Sequence, residues 1–140
     1  MIVLDTNVTS ELMKRTPSAV VVGWVRSRRS SDLYTTAITV AEIGYGIERL
    51  PDGRRKETLQ RAADDIFAAF ADQVLAFDAA AAQQYSRIVS HRDATGRPIE
   101  GFDAQIASIC RAHDATLATR NVKDFDGTDI NVVDPWTEPT

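Results

Sequence analysis

The chain has 140 residues, of which 44% are hydrophobic, a length and composition typical of one globular domain with its own core. Its 16 Lys and Arg against 20 Asp and Glu give a net charge of −4. Proteins that hold nucleic acid through phosphate contacts alone are basic, so this class is excluded. Cys110 is the only cysteine, so no intrachain disulfide can form, and neither a signal peptide nor a membrane-spanning run is visible. We therefore expect a cytoplasmic protein that does not contact a membrane.

The first part of the sequence predicts a buried strand followed by two helices. The opening MIVLD is apolar up to Asp5, which is typical of a strand covered on both faces within a parallel sheet. TNVTSELMK predicts a short helix that Pro17 ends. SAVVVGWVRSRRSS then predicts an amphipathic helix, with apolar residues beside Trp24.

The middle of the sequence predicts a second strand and two helices. LYTTAITV is rich in β-branched and aromatic residues, which favour a strand. We expect the next helix to begin near Val40, with Thr39 as its N-cap and Glu42 as the capping-box partner three residues later. A turn at PDGRRK separates it from a helix over residues 56–71, whose apolar residues repeat at helical spacing.

The last part continues the alternation of strands and helices. VLAFD predicts a strand, and the helix after it stops near Gly96. Beyond the loop GRPIEG, the predicted elements are a helix over FDAQIASICRAHD, a strand over ATLAT, an irregular segment and a final strand over INVVDPW. Because strands that alternate with helices pair in parallel, the predicted fold class is α/β, a three-layer sandwich with a mainly parallel central sheet, formed by a single domain over residues 1–140.

Oxygen-bearing side chains are predicted at the carboxyl edge of this sheet, where ligands bind in open α/β folds. They follow successive strands or begin the helices of this edge: Asp5, Glu42, Asp103 and Asn121. Carboxylates brought this close stay ionised only if a cation neutralises them. A hard oxygen set without nearby Cys or His is typical of Mg²⁺ or Mn²⁺, which would leave positions open for a phosphodiester and an attacking water. The pattern therefore predicts a metal-dependent nuclease.

Each candidate residue also has a simpler structural explanation. Asp5 and Asp103 stand where acidic residues cap a helix or favour its dipole. Glu42 is explained by the capping box alone, and Asn121 by a turn. Singly, these explanations are at least as good as a catalytic role. Only the joint pattern at one sheet edge favours the nuclease.

The segments that carry these residues are IVLDTNVTSEL, TTAITVAEIGYGI, GRPIEGFDAQIAS and TLATRNVKDF. In this order they resemble the four motif blocks of the PIN-domain ribonucleases, specifically the VapC-type toxins of bacterial toxin–antitoxin pairs. The closing VVDPW is similar to the FitB-like branch of that group. The resemblance covers essentially the whole chain, and four blocks together are far more specific than LDTN alone.

The resemblance implies an endoribonuclease that depends on Mg²⁺ or Mn²⁺ and acts as the toxin of a type II toxin–antitoxin module. It also implies a homodimer that a VapB-type antitoxin holds inactive. The toxin would contact DNA only indirectly, through this antitoxin. Asp5, Glu42 and Asp103 correspond to the three acidic positions of the family and are the implied metal ligands, with Asn121 on a fourth catalytic position that is Asp in some relatives. We expect metal-activated water to cleave RNA and to leave 5′-phosphate and 3′-hydroxyl ends.

Further polar residues match supporting positions of the family. Thr6, Asn7 and Thr119 correspond to small polar residues that orient the carboxylates by hydrogen bonds. Asp124 follows Asn121 by three residues and is expected to assist the carboxylates without binding the metal itself.

One residue departs from the family pattern and leaves two alternatives open. Thr9 stands where relatives often carry an apolar residue, so DTNVT also resembles the D-x-D-x-T loop of haloacid-dehalogenase-type phosphotransferases. In that class the first Asp, here Asp5, attacks phosphorus and the second serves as general acid, a role that Asn7 cannot fill. A non-catalytic binding protein with a relic acidic site is the other alternative.

Overall fold

The computed structural model describes residues 1–138. Its strands are β1 (Ile2–Leu4), β2 (Leu33–Thr36), β3 (Val74–Leu75), β4 (Thr116–Ala118) and β5 (Val132–Val133). Its α-helices are α1 (Thr6–Leu12), α2 (Ala19–Arg26), α3 (Ala37–Glu48), α4 (Arg54–Phe70), α5 (Ala79–Ala94) and α6 (Gly101–Ala112). The strands form one sheet in the order β3-β2-β1-β4-β5, and every described pairing is parallel. The predicted α/β fold with a parallel central sheet is thus confirmed.

Helices cover both faces of the sheet, which makes the three predicted layers. Val3 and Leu117 are register partners and lie in the core cluster that α5 and α6 complete. Leu4 and Ala118 are the next pair along the same two strands and lie in the cluster that includes α1 and α2. Successive strand residues point to opposite faces, so the uniformly apolar run of β1 serves two cores at once.

Helix α1 ends at Leu12, five residues before Pro17, where the sequence predicted its end. The carboxylate of Glu11 explains the early stop. It is almost fully buried, it accepts from Lys14 Nζ at 2.9 Å, and its second oxygen accepts from the backbone N–H of Ser18 at 3.0 Å. These bonds turn the chain toward α2 before Pro17 is reached, and they lower the pKa of Glu11.

The boundary between β2 and α3 also differs from the prediction. The strand stops at Thr36, whose side chain accepts from the N–H of Thr39 at 3.1 Å, so Thr36 and not Thr39 is the N-cap. Glu42 therefore lies in the second turn of α3 and is not a capping-box partner. The β-branched run from Ile38 to Val40 enters the helix because Ile38 packs against the α5–α6 core, and this packing outweighs strand propensity.

The remaining predicted elements are present with shifted ends. Helix α4 begins at Arg54 within the predicted turn, while β3 and β5 are reduced to two residues each. Cys110 is buried in α6, where a free thiol packs as a small apolar side chain. Within residues 1–138 no helix is long and apolar enough to cross a membrane. The predicted single domain extends to residue 140, and its last two residues lie outside the described part.

Candidate active site

Asp5 sits where β1 ends and α1 begins, and it is 4% exposed. Its backbone N–H continues the sheet by donating to the carbonyl oxygen of Ala118 at 2.9 Å. Its Oδ1 accepts from the N–H of Thr6 at 2.8 Å, so Asp5 is the N-cap of α1, the simpler role that the sequence also allowed for it. A carboxylate at a helix start is favoured by the free N–H groups there. Capping therefore explains one oxygen of Asp5 and leaves the other to be accounted for.

The second oxygen of Asp5 is held by Thr119. The Thr119 hydroxyl is fully buried and donates to Asp5 Oδ2 at 2.7 Å. The same hydroxyl oxygen accepts from Asn7 Nδ2 and from the backbone N–H of Asn121, both at 3.1 Å. One hydroxyl thus joins β1, α1 and the segment after β4. This matches the orienting role expected of Thr119.

A chain of hydroxyl groups leads to Glu42. Thr6 Oγ1 donates to Glu42 Oε1 at 2.8 Å, and it lies 3.1 Å from Thr39 Oγ1, which in turn accepts from Thr36 Oγ1 at 3.5 Å. Thr36 and Thr39 are fully buried, so the orientation of Glu42 is set from inside the protein. As an orienting residue the sequence pointed only to Thr6: Thr39 was predicted as an N-cap, and Thr36, in a β-branched run, has no feature that separates it from strand residues.

Asp103 is in the first turn of α6, as predicted, and is partly exposed. The N-cap of that helix is Glu100, whose side chain accepts from the N–H of Asp103 at 3.0 Å. Glu100 is a further acid at this site that the sequence analysis did not select. Glu is not one of the usual N-cap residues, so nothing at this position marked Glu100 in the sequence.

These acids form one negatively charged cluster. Burial, followed by the charges of Asp5, Glu100, Asp124 and Glu42, raises the pKa of Asp103 to about 7. Burial and then the charges of Asp5 and Glu100 raise the pKa of Glu42, although the Thr6 hydroxyl lowers it. Burial likewise raises the pKa of Asp5 against the hydrogen bonds that it accepts. Within residues 1–138, no Lys or Arg charge offsets these shifts. The cluster calls for a cation from outside.

The segment after β4 brings two further predicted residues to the cluster. The exposed Asn121 is tied through its backbone N–H to Thr119, and Asp124 lies close enough to raise the pKa of both Asp5 and Asp103. A buried arginine fixes this segment. Arg92 Nη1 donates to the carbonyl oxygens of Asp124 at 2.8 Å and Asp126 at 3.0 Å. Nothing in its helical surroundings marks Arg92 in the sequence.

The donor set fits a hard divalent cation. Every acid in the cluster offers carboxylate oxygens, which are the ligands that Mg²⁺ and Mn²⁺ prefer. The pKa values of these acids are raised, and a bound cation would lower them again. Among the described residues, no three His, Cys, Asp or Glu side chains stand close enough to ligate one ion together. Asp5 and Glu42 instead take their hydrogen bonds from threonines. The three predicted ligands thus share one charged cluster without the distances of a preformed metal cage.

A five-stranded parallel sheet, helices on both faces and acidic side chains at the carboxyl edge define the class of protein. Residues 2–131 match the PIN domain family, and the chain belongs to that family. It is 39% identical to the toxin FitB of Neisseria gonorrhoeae, over 97% of this chain and 99% of that protein. It is 36% identical to the VapC ribonuclease Y4jK of Sinorhizobium fredii, over 97% of this chain and 98% of that protein. The predicted resemblance to VapC-type and FitB-like toxins is confirmed.

Solved structures agree with these relatives. The structure of FitAB bound to an IR36 DNA fragment has a chain that superposes with a TM-score of 0.91 and 38% identity, covering 100% of this chain and 99% of that one. The FitAcB complex from Neisseria gonorrhoeae gives the same TM-score and identity over 99% of this chain. The fold of this protein is therefore that of the toxin chains in FitAB complexes.

Thr9, which kept the phosphotransferase alternative open, has a structural role. It is fully buried, and its hydroxyl donates to the backbone carbonyl oxygen of Asp5 at 3.4 Å. A hydroxyl used inside α1 is not available to a phosphate. Together with the family match, this removes the observation on which the haloacid-dehalogenase comparison rested.

Proposed function

We propose that this protein is a metal-dependent endoribonuclease that acts as the toxin of a type II toxin–antitoxin module. The observation that carries the proposal is the cluster of Asp5, Glu42 and Asp103 at the carboxyl edge of a PIN fold, where burial and, after it, the charges of neighbouring acids raise their pKa values. Relatives along the whole chain include a VapC ribonuclease, and a tRNA(fMet)-specific VapC endonuclease is 29% identical over 88% of this chain.

In this proposal Asp5, Glu42 and Asp103 hold Mg²⁺ or Mn²⁺, and Asn121 adds a neutral oxygen at the same edge. When bound, the cation supplies positive charge against the phosphate oxygens and lowers the pKa of a water molecule. Thr119 and Thr6 keep the carboxylates of Asp5 and Glu42 in fixed orientations, so little reorganisation is needed when charge develops. Because the attacking group is water, the RNA 2′-hydroxyl takes no part in the reaction.

The partners follow from the relatives. The FitAB and VapBC structures contain toxin and antitoxin together, some of them on DNA, which supports a VapB-type antitoxin as the partner of this chain and contact with DNA only through it. We further propose a homodimer in the cytoplasm, with RNA as the substrate. A short upstream reading frame that encodes a small DNA-binding protein is the expected genomic context.

Cleavage should require a divalent cation and leave defined ends. Purified protein freed of antitoxin, incubated with total RNA, is expected to cut in Mg²⁺ or Mn²⁺ and to stop in excess EDTA, because the carboxylates then repel one another and the phosphate alike. End-labelling should reveal 5′-phosphates and 3′-hydroxyls. A 2′,3′-cyclic phosphate would contradict attack by water, and a phosphorylated Asp5 would restore the phosphotransferase alternative. Binding to the antitoxin with no cleavage of any RNA would leave a binding protein.

Thr119 offers a test of how Asp5 is held. Thr119→Val keeps the shape of the side chain but removes the donor to Asp5 and the acceptor for Asn7 and Asn121. We expect cleavage to fall about 10-fold and the free energy of unfolding to fall by about 1–3 kcal/mol, as when buried polar partners lose a hydrogen bond. Thr119→Ser, which retains the hydroxyl, should stay near the wild-type rate. Cleavage assays and urea unfolding measure both effects, and an unchanged rate in Thr119→Val would rule out the orienting role.

A further inference from the structure

A cleft of about 380 Å³ lies beside the acidic cluster, between the turn after β4 and the chain after β5. Its lining includes two residues of the candidate site, Asn121 and Asp124, and two cationic side chains, Arg120 and Lys123. A volume of this order suits a small organic ligand or one unit of a polymer. The cleft adjoins the acidic edge, since the backbone N–H of its lining residue Asn121 donates to the Thr119 hydroxyl that holds Asp5.

Arg120 is held in a defined position above an aromatic ring. Its guanidinium carbon lies 4.8 Å from the ring centroid of Trp136, and its backbone N–H donates to Asn7 Oδ1 at 3.2 Å. Asn7 in turn reaches Asp5 Oδ2 at 3.4 Å. A guanidinium that stacks on an indole keeps its N–H groups at the edge of the plane, where they form a rigid fork suited to phosphate oxygens. The position of Arg120 is thus tied to that of the candidate catalytic Asp5.

The charge of Arg120 has no carboxylate partner within 4.0 Å among residues 1–138, and the same is true of Lys123. The nearby Glu11 already accepts from Lys14 and from the N–H of Ser18, and Arg120 affects its pKa only as the last of several influences. Arg97, by contrast, pairs with Asp126 at 3.4 Å. Both cations of the cleft are therefore available to an anion from outside.

The two acids of the cleft, Asp124 and Asp134, do not cancel its ability to bind an anion. Asp124 belongs to the acidic cluster, whose charge the proposed cation offsets. Asp134 uses Oδ1 to accept from the backbone N–H of Trp136 at 2.9 Å, which fixes the segment that carries the ring. A nucleotide unit presents a phosphate for the cations and donor groups on its base for the remaining carboxylate and amide oxygens.

We propose that this cleft binds the RNA strand next to the cleavage point, with Arg120, stacked on Trp136, contacting a backbone phosphate and Lys123 assisting. This inference rests on the proposed ribonuclease function and assigns it a substrate-positioning residue. The cation bound by the acidic cluster and the cationic wall of the cleft would then hold successive phosphates of one strand. Because the net charge of the protein is −4, its contacts with RNA depend on local positive charges of this kind.

The test compares RNA affinity in variants of the full-length chain that all carry Asp5→Asn, so that the probe is not cut. The probe is a fluorescein-labelled single-stranded RNA of mixed sequence, titrated in Mg²⁺ at several salt concentrations. Adding Arg120→Ala should weaken binding about 5-fold, the scale of one exposed charge pair, and should reduce the slope of log affinity against log salt by about 0.7. Arg120→Lys should keep the slope but recover only part of the affinity, because lysine lacks the planar fork.

Arg28→Ala is the matched control. Arg28 stacks on Trp24 at 4.6 Å in the same manner, but it precedes β2 and so lies toward the opposite, amino edge of the sheet. Both alanine variants lose a stacked guanidinium, so any effect of lost stacking on the folded protein should be the same in both. Only Arg120→Ala should change the RNA affinity and its salt slope. If Arg120→Ala binds RNA as the parent does, the cleft assignment is wrong while the ribonuclease proposal stands. If wild-type protein neither binds nor cleaves RNA, the proposed function fails with it.

Discussion

Replacing Asp5 by Asn is expected to reduce RNA cleavage on the order of 10³-fold while the protein stays folded, since several kcal/mol of charge stabilisation depend on this carboxylate. The substitution removes the charge with almost no change in shape. Because burial raises the pKa of Asp5, its ionised form is costly to the folded state, and a neutral amide should leave the free energy of unfolding within about 1 kcal/mol of the wild type. Cleavage assays and urea unfolding measure these two effects, and Mn²⁺ titration measures the loss of metal affinity that should accompany the first.

The matched control is Asp72→Asn. Asp72 is an exposed aspartate in the turn before β3, so the same chemical change is made where no member of the acidic cluster lies. Its cleavage rate and Mn²⁺ affinity should equal those of the wild type. If Asp5→Asn cuts RNA at the wild-type rate, the catalytic assignment of this cluster is wrong, whatever the effect on stability.

The metal-free protein is expected to gain stability as the pH falls from about 7 toward 4. Asp103 has an ordinary pKa of 3.8 and a folded pKa of about 7, so between these values the folded state binds a proton that the unfolded state releases. The free energy of unfolding therefore decreases as the pH rises through this window. Asp103→Asn removes the titrating group and should flatten that part of the curve. Urea unfolding in EDTA at a series of pH values measures the slope.

Comparison of the two proteins isolates the contribution of Asp103 together with its coupling to the neighbouring acids, because carboxylates outside the cluster titrate equally in both. Glu11, whose pKa is lowered, acts with the opposite sign, and its contribution is lost only in more acidic solution. Saturating Mg²⁺ should reverse the trend for the wild type, since a cation binds the ionised carboxylates and stabilises the state that contains them. Cleavage should fall as the pH is lowered through the same window, because protons then displace the metal. Parallel curves for wild type and Asp103→Asn in EDTA would contradict the electrostatic description of the cluster.

The alternation of strands and helices was readable from the sequence because each layer of the fold has its own pattern. A parallel strand that is covered on both faces is apolar at every position, as in β1, and a helix that packs on one face is apolar at every third or fourth position. The polar residues that end the strands could be located for the same reason. The order of these patterns placed Asp5 at the carboxyl edge of the sheet.

The element ends could not be read in this way. The sequence extended the second strand to Val40, but the side chain of Thr36 starts the helix, and Ile38 packs on the far core. The sequence also ended α1 at Pro17, whereas the Glu11 carboxylate turns the chain earlier. In both cases a side-chain bond or a distant packing contact outweighs the local preference.

The sequence by itself determined the fold class, the family and the acids at the sheet edge, because these depend on local periodicity and on motif blocks of neighbouring residues. Only the tertiary structure decided how the acids are held and what surrounds them. Asp5 and Thr119 are 114 residues apart, and Thr6 and Glu42 are 36 apart. Arg120 and Trp136 meet only because β5 returns beside β4. Contacts between distant residues leave no local pattern, so the links from Thr36 and Thr39 to Glu42, the capping role of Glu100 and the cleft beside the acids appear only when the chain is folded.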